Sequence, residues 1–237
     1  MNRMRQHIFL KMNKKIFLAN QEKVWNKISK PWKTFRAKPL KEAVDFLNNA
    51  MKNKRGNIVD LGCGSGRNFV KLNDKRKGKA KSKIYAVDFS RQQLEYAREY
   101  AKKHGFNVKT IKAFAYSLPF KDNFFDAAIF IAALHCIPQA EKRKKALQEL
   151  KRVMKKGASA MITVWDKNQP RFKNSEKEAL LPWKHEGKKY MRYYYLYDKN
   201  ELLELLKDAG FKIKKVFEKS AIKGLYSSRN IVVIVRK

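Results

Sequence analysis

Short apolar runs alternate with amphipathic stretches along most of the chain. Residues 58–61 and 84–87 are compact apolar runs of the length typical of buried strands, and 125–133 is apolar almost throughout. Between them, residues 91–104 carry apolar positions at helical spacing. Strands that alternate with helices predict an α/β fold built on a parallel sheet.

The second half of the chain continues this alternation. Residues 141–156 predict an amphipathic helix that Gly157 ends, and 160–165 predict the fifth strand. Residues 213–219 and 230–236 predict two final strands that form a hairpin-like pair. With an edge strand over 108–114, the pattern predicts seven strands.

A glycine-rich turn follows the first strand abruptly. Gly62, Gly64 and Gly66 stand at alternate positions and predict a tight turn, followed by a helix to about Leu72. Glycine adopts positive φ angles and lets a ligand approach the backbone closely. Such turns also occur without any ligand, so the surrounding sequence decides between the two interpretations.

An acidic residue ends the second strand and supplies that context. Asp88 follows the glycines by about twenty residues, where doubly wound folds place the acid that holds ribose hydroxyls. Parallel strands end at the same edge of a sheet, so the turn and Asp88 converge there. The pattern predicts a nucleoside-binding site at the carboxyl edge of the sheet.

The charge balance of the chain indicates an anionic partner. The chain has 56 Lys and Arg against 21 Asp and Glu, a net charge of +35 that is spread through the sequence. This excess favours nucleic acid over membrane as an anionic partner. A general bias toward lysine is the alternative interpretation. A hydrophobic content of 44% excludes a disordered chain.

Targeting and metal signals are absent from the sequence pattern. Cys63 and Cys136 offer neither a disulfide framework nor a zinc spacing, so we expect a cytoplasmic protein with no metal site. Residues 1–22 form a basic N-terminal extension whose apolar pieces are interrupted by lysines. No apolar run is long enough for a membrane span, so we expect no stable membrane insertion.

We expect residues 23–237 to form one domain with two elaborations. Residues 23–56 are helical, are broken at prolines, and would form a lid over the ligand pocket before the first strand. An insertion at about 166–197 is rich in charged residues and loop signals. The cation-dense run 74–83 predicts a loop suited to phosphates.

Four local patterns resemble the class I S-adenosylmethionine-dependent methyltransferases. They are Val-Asp-Leu-Gly-Cys-Gly-Ser-Gly (59–66), Val-Asp-Phe-Ser (87–90), Leu-Pro-Phe (118–120) and Phe-Asp-Ala-Ala-Ile (125–129). The resemblance implies S-adenosyl-L-methionine as cofactor. It also implies a Rossmann-like, mainly parallel seven-stranded sheet with one antiparallel strand and helices on both faces.

The resemblance implies the cofactor contacts as well. Asp60 is implied near the methionine amino group and Asp88 on the ribose. Phe114 stands where the family often has an Asp near the adenine. The other implied cofactor-binding residues are Gly62, Gly64, Gly66, Phe89 and Ala115.

Four further patterns resemble the tRNA wobble-uridine carboxymethyl methyltransferases. They are Phe-Arg-Ala-Lys-Pro (35–39), Ala-Leu-His (133–135), Leu-Leu-Pro-Trp-Lys (180–184) and Arg-Tyr-Tyr-Tyr-Leu-Tyr (192–197). The family has Thr-Arg-Tyr-Lys-Pro, Val-Ile-His and Arg-Tyr-Tyr-His-Leu at three of these places. This chain departs in its single His135, where the family commonly has two histidines, and in Tyr195 for a histidine.

This closer resemblance implies methylation of the carboxylate of 5-carboxymethyluridine at the tRNA wobble position. The acceptor oxygen is already anionic, so positioning rather than a strong base carries the rate. Arg36, His135 and Arg192 fit the role of catalytic groups that orient a carboxylate. The family also implies a small zinc-binding activator subunit as partner.

Two other functions stay open at this stage. A small-molecule or lipid O-methyltransferase would share the glycine turn and Asp88 but has no use for a charge of +35. A non-catalytic tRNA-binding protein would keep the charge and could lose the cofactor. A gel shift with tRNA distinguishes the small-molecule enzyme from the tRNA methyltransferase. Calorimetry with the cofactor distinguishes the non-catalytic tRNA-binding protein from it.

Overall fold

The computed structural model describes residues 20–52, 54–71, 82–217 and 229–237. Several predicted features therefore lie outside the described residues. They are most of the basic extension at 1–19, the cation-dense run at 74–81, and the last two residues of the strand predicted over 213–219.

The strands form one large sheet and one hairpin. They are β1 Asn57–Leu61, β2 Lys83–Asp88, β3 Val108–Lys112, β4 Phe125–Ile131, β5 Met154–Trp165, β6 Glu178–His185, β7 Lys188–Tyr195, β8 Lys212–Val216 and β9 Asn230–Arg236. The seven-stranded sheet has the order β3-β2-β1-β4-β5-β9-β8. Its strands are parallel except β9, which is antiparallel to both β5 and β8. The predicted fold class is confirmed.

The helices connect these strands and precede the first of them. They are α1 Gln21–Lys27, α2 Ser29–Phe35, α3 Lys41–Ala50, α4 Arg91–His104, α5 Ala140–Val153 and α6 Lys199–Asp208. Local chemistry sets the limits of α4. The Ser90 hydroxyl accepts a hydrogen bond from the Gln93 amide at its start, and Gly105 ends it with φ 66°. No helix in the described ranges could cross a membrane.

The core consists of two apolar layers, one on each face of the sheet. Alternate residues of β1 point into opposite layers, with Val59 packed in the layer that holds Leu147 of α5. Ile58 packs in the other layer, with Leu47 of α3 and Leu94 of α4. Both faces of the central strands are therefore buried, which explains their nearly continuous apolar sequence.

Two boundaries differ from the sequence prediction. Residues 62–71 form turns, so the helix predicted directly after the glycine turn is absent from this described segment. Gly66 has φ 86°, and the Asn68 side chain accepts a hydrogen bond from the Leu40 amide, which fixes an irregular backbone. Helix α5 ends at Val153, and Gly157 lies within β5 rather than at the helix end.

The segment predicted as a loop-rich insertion contains the β6–β7 hairpin. Its strands are joined by Glu186 and Gly187, whose φ angles of 47° and 70° define a two-residue hairpin turn. Gln21 of α1 fastens the hairpin to the N-terminal helices, because its side chain donates to the Met191 carbonyl and accepts from the Tyr193 amide. The hairpin thus forms one wall above the sheet edge.

Candidate cofactor and acceptor site

A cavity of about 590 Å³ opens at the carboxyl ends of β1, β2 and β4. Parallel strands bring these ends together at one edge, where ligands bind in open α/β sheets. Helices α1 and α2 and the end of β7 close the cavity from above. Seven of the predicted site residues line it, namely Gly62, Gly64, Asp88, Phe89, Ala115, Arg36 and His135.

The three glycines of the turn have different structural roles. A side chain at Gly62 would meet Ala133 Cβ at 2.3 Å, and one at Gly66 would meet the Phe69 ring at 2.3 Å. At Gly64, where φ is 54°, an added Cβ would approach only Gln93 Oε1, at 3.8 Å. The backbone at Gly64 therefore faces open cavity, whereas Gly62 and Gly66 are required by packing.

Asp88 ties the glycine turn to the second strand. Its carboxylate accepts hydrogen bonds from the Gly64 and Ser90 amides, each at 2.9 Å. Burial raises the pKa of this carboxyl to about 6. Asp88 also lines the cavity, where its remaining lone pairs can accept from hydroxyl groups.

Asp60 lies beneath the turn and is almost completely buried. Its Oδ2 atom has no hydrogen-bond partner among the described residues. Burial and the charge of Asp88 raise the pKa of Asp60 to about 7. A buried carboxylate oxygen without a partner fits a cationic group of a ligand.

Aromatic rings line the cavity beside Asp88. Phe89 stacks on Phe114 with ring centroids 5.9 Å apart, and Phe114 stacks on Tyr116 at 5.1 Å. Phe114 is 43% exposed, so much of its ring is open to a ligand. These flat apolar surfaces suit a purine base, and Phe114 supplies packing where the resembling family often has a carboxylate.

His135 lies in the wall opposite and is 1% exposed. Its Nδ1 accepts a hydrogen bond from the Trp165 amide at 3.1 Å, and its ring packs against both Trp165 and Tyr194. Burial, and to a lesser extent the charge of Arg36, lower the pKa of His135 to about 3. The imidazole is therefore neutral, and Nε2–H is the group it can donate.

Arg36 follows helix α2 directly and lines the same cavity as His135. Its guanidinium carbon lies 5.4 Å from the Trp32 ring centroid and 5.0 Å from the Phe35 ring centroid. Such cation–π contacts fix the guanidinium beside the cavity. The structure thus brings the predicted Arg36 and His135 together.

Arg192, the third predicted catalytic residue, lies behind the cavity wall rather than in its lining. It is 7% exposed and donates to the Tyr194 hydroxyl at 2.8 Å. Its guanidinium also packs on the Trp183 and Trp32 rings at 5.0 and 5.4 Å. Asp60 and Gly66 likewise support the cavity without lining it.

Known structures share this architecture. A methyltransferase of Methanosarcina mazei described as S-adenosylmethionine-dependent superposes with a TM-score of 0.63 at 21% identity, covering 81% of this chain and 96% of that one. The CcbJ methyltransferase of Streptomyces caelestis has a TM-score of 0.67 at 13% identity, over 90% of this chain and 95% of that one. At these identities the likeness establishes the fold.

Sequence comparison establishes the family. Residues 58–157 match the methyltransferase domain family. A protein of Encephalitozoon cuniculi that bears the name methyltransferase is 30% identical over 175 residues, which cover 71% of this chain and 75% of that protein. The chain belongs to the class I S-adenosylmethionine-dependent methyltransferases. The cofactor of this methyltransferase is S-adenosyl-L-methionine.

Relatives with named RNA substrates are longer proteins. The tRNA (carboxymethyluridine(34)-5-O)-methyltransferase of Xenopus tropicalis is 32% identical over 65% of this chain but only 22% of its own length. The Arabidopsis thaliana protein of the same name is 31% identical over 56% of this chain and 29% of its own length. The methyltransferase spans less than a third of the length of these two relatives.

The cavity fits the cofactor of this methyltransferase. The open backbone at Gly64 and the carboxyl of Asp60 beneath the turn suit the methionine portion, and Asp88 suits the ribose hydroxyls. The stacked rings of Phe89 and Phe114 suit the adenine. When bound, S-adenosyl-L-methionine supplies an electrophilic methyl group on a sulfonium. These individual contacts remain predictions for the methyltransferase.

We expect cofactor affinity to weaken by about tenfold or more between pH 7.5 and pH 5.5. The raised pKa values of Asp60 and Asp88, about 7 and about 6, mean that both carboxyls take up protons in the empty protein over this range. Protonation of Asp60 removes a negative charge beneath the turn and so weakens its attraction for an ammonium group, and a protonated Asp88 is a weaker acceptor. Calorimetry across this range in two buffers of different ionisation enthalpy measures affinity and proton release together.

The Asp60→Asn variant is the control for this pH dependence. We expect its affinity to be lower at neutral pH and to change less with pH, because the group titrating near pH 7 is gone. A parent protein whose affinity is constant from pH 7.5 to 5.5 would contradict the assignment of these carboxyls.

The cavity wall around His135 includes aromatic residues to which the sequence analysis assigned no role in the site. Trp165 and Tyr194 stack with centroids 4.1 Å apart and both line the cavity, as does Trp32. Trp165 ends β5 and Tyr194 lies near the end of β7, so two different sheets contribute them. The position of Trp165 at a strand end was the available sequence signal.

Proposed function

We propose that this methyltransferase methylates the carboxylate of 5-carboxymethyluridine at the tRNA wobble position. The observation that carries the proposal is that Arg36 and a neutral His135 line the same cavity. A guanidinium and an imidazole N–H are both donors, so together they suit an anionic acceptor. The names of the Xenopus and Arabidopsis relatives support the same substrate.

The proposed reaction is an in-line displacement. The bound cofactor would supply a methyl carbon to a carboxylate oxygen, with the carbon–sulfur bond lost as the oxygen–carbon bond forms and a neutral thioether left over. No proton is removed from the acceptor. Arg36 neutralises and aligns the carboxylate, His135 donates one further hydrogen bond, and Trp165 and Tyr194 restrict water around it.

The other polar groups of the cavity agree with an acceptor that needs no base. Among the described lining carboxylates, Glu22 pairs with Lys112 at 2.7 Å and Asp88 is held by two backbone amides. Burial raises the pKa of the Cys136 thiol to about 12, so this group is not a nucleophile at neutral pH. Orientation of a preformed anion is the chemistry that remains.

The aromatic cavity surfaces and the net charge of the chain support the same substrate, independently of Arg36 and His135. Trp32, Trp165 and Tyr194 present aromatic surfaces within the cavity, which suit a planar uracil ring. The net charge of +35 suits a polyanion and would not assist a neutral small acceptor. We propose that this polyanion is tRNA, the substrate class in the names of the Xenopus and Arabidopsis relatives, and that the protein acts in the cytoplasm.

The test uses tRNA that carries 5-carboxymethyluridine and matched tRNA that lacks the carboxymethyl group. We expect labelled cofactor to transfer methyl groups to the first tRNA, and mass analysis of its nucleosides to show one new product, the methyl ester. Equal methylation of the matched tRNA would overturn the proposed acceptor. Methylation of small molecules from an RNA-free extract, with none of tRNA, would favour a small-molecule enzyme.

An activator subunit, if one serves this methyltransferase, is proposed to pair along β3. Strand β3 forms one edge of the sheet, so its outer backbone groups can add a strand. We expect co-expression with a candidate zinc protein to slow amide exchange at residues 108–112. The opposite edge strand β8, Lys212–Val216, is the internal control and should keep its exchange rate. Binding of the subunit with unchanged exchange in β3 would contradict the pairing.

A further inference from the structure

An exposed aromatic ring lies just outside the cavity. Phe35 is 62% exposed, although its chain neighbour Arg36 and its ring neighbour Trp32 both line the cavity. Only Phe35 and Phe114 are large apolar side chains classed as exposed among the described residues, and Phe114 lies within the cavity. Phe35 therefore offers an aromatic surface at the entrance.

The ring of Phe35 packs against two tryptophan rings. Its centroid lies 5.5 Å from Trp183 at 70°, an edge-on contact, and 5.9 Å from Trp32. Trp183 and Trp32 also pack edge-on against each other at 5.5 Å, and Arg192 lies against both rings. A ring fixed by such contacts loses little conformational freedom when a ligand stacks on it.

The hairpin beside Phe35 carries unbalanced positive charge at its tip. Lys184 and Lys189 are directly paired across β6 and β7, and Lys188 pairs with His185. Like charges placed opposite each other destabilise a hairpin. Lys188 shares its face of the hairpin with Trp183, the neighbour of Phe35, about 7 Å along the strands. Lys184 and Lys189 point to the opposite face, so Lys188 places a hairpin-tip cation on the side of Phe35.

We propose that Phe35 and Lys188 form a second nucleotide subsite outside the cavity. Phe35 stacks the base that adjoins the methylated nucleotide, and Lys188 contacts a phosphate of the same segment. Aromatic faces combined with cations are how proteins bind single-stranded nucleic acid. The proposal rests on the proposed function for the identity of the RNA. The subsite goes beyond the proposed function because it assigns a role to Phe35, which lies outside the cavity. The motif of the resembling family has threonine at this position.

The test uses a short single-stranded RNA with 5-carboxymethyluridine at its centre and fluorescent 2-aminopurine beside it. Stacking on an aromatic ring quenches this fluorophore. We expect the parent protein at saturation to quench it, Phe35→Leu to lose the quenching, and Phe35→Tyr to retain it. The Phe35→Leu variant should also raise KM for this RNA about tenfold, within the range measured for loss of one base–aromatic stack.

Three comparisons separate this subsite from a structural role. Phe35→Leu should leave cofactor affinity at the parent value, since the cofactor does not reach the subsite. Lys188→Ala should make the negative slope of log affinity against log salt shallower by about 0.7. The matched variant Lys214→Ala, on the far edge strand β8, should leave that slope unchanged.

The outcomes also separate this proposal from the proposed function. If quenching depends on Phe35 but the protein methylates no RNA, the subsite is supported and the proposed function is contradicted. Quenching and KM that are equal in the parent and Phe35→Leu would overturn the subsite, whether or not the RNA is methylated. Loss of cofactor affinity in Phe35→Leu would also overturn it, because Phe35 would then support the cavity itself.

Discussion

Gly64→Val is expected to abolish cofactor binding while the methyltransferase stays folded. Gly64 has φ 54°, and its Cβ position opens into the cavity, with Gln93 Oε1 at 3.8 Å as the only near atom. A valine side chain would therefore fill the space where the ligand approaches the backbone, rather than clash with the protein. Calorimetry with S-adenosyl-L-methionine measures the loss, and thermal unfolding checks the fold.

Gly105→Val is the matched control for this substitution. Gly105 has φ 66° and nothing within 4 Å of its Cβ position, but it ends helix α4 outside the cavity lining. Both variants carry the strain of a positive φ, on the order of 1–2 kcal/mol. Only Gly64→Val should lose the cofactor. Equal loss in both variants would mean that backbone strain, not occupation of the site, is responsible.

Asp88→Ala tests the other half of the same cofactor site. It removes hydrogen bonds from a charged acceptor, worth roughly 1.5–3 kcal/mol, and also frees the Gly64 amide that Asp88 holds. We expect cofactor affinity to fall by about tenfold or more. Parent affinity in both Asp88→Ala and Gly64→Val would contradict the location of the cofactor.

Arg36→Ala and His135→Ala are each expected to reduce turnover on tRNA by about tenfold or more, with cofactor affinity near that of the parent. Each variant removes one donor proposed to hold the acceptor carboxylate, and a tenfold change corresponds to about 1.4 kcal/mol. Arg36→Lys should also be impaired, because an ammonium group cannot reproduce the planar guanidinium. Single-turnover rates at saturating cofactor measure the effect.

Lys38→Ala is the control for charge in the Arg36 variants. Lys38 is exposed in the same segment and does not line the cavity, so its removal should leave the single-turnover rate unchanged. His135→Ala also removes the acceptor of the Trp165 amide, so thermal unfolding must accompany the kinetics. Arg36→Ala and His135→Ala both reacting at the parent rate would contradict the carboxylate-orienting mechanism.

The parts of the fold that local sequence determines were predicted correctly. The buried parallel strands read as apolar runs because both faces of β1 and β4 are covered by helices. Asp88 could be placed because strand ends in a parallel sheet share one edge. Its contact with the Gly64 amide shows that the turn and the second strand meet there.

The parts that depend on tertiary contacts were not predicted. A helix was expected after Gly66, but the Asn68 side chain binds the Leu40 amide of the N-terminal segment instead. Trp165 and Tyr194 meet because the hairpin folds back over the sheet edge, which no local pattern encodes. Arg192 belongs to a motif shared with the resembling family, yet it lies behind Tyr194, donates to the Tyr194 hydroxyl and does not line the cavity.

The chemical nature of the transferred methyl group tests the central claim most directly. A methyl ester is hydrolysed by mild alkali and releases methanol, whereas methyl groups on nitrogen, on ring carbon or on ribose oxygen are retained. The tRNA labelled by this methyltransferase is treated with mild alkali, and the volatile label is collected. The carboxylate mechanism predicts that the label is released as methanol. Label that stays on the nucleosides would contradict it.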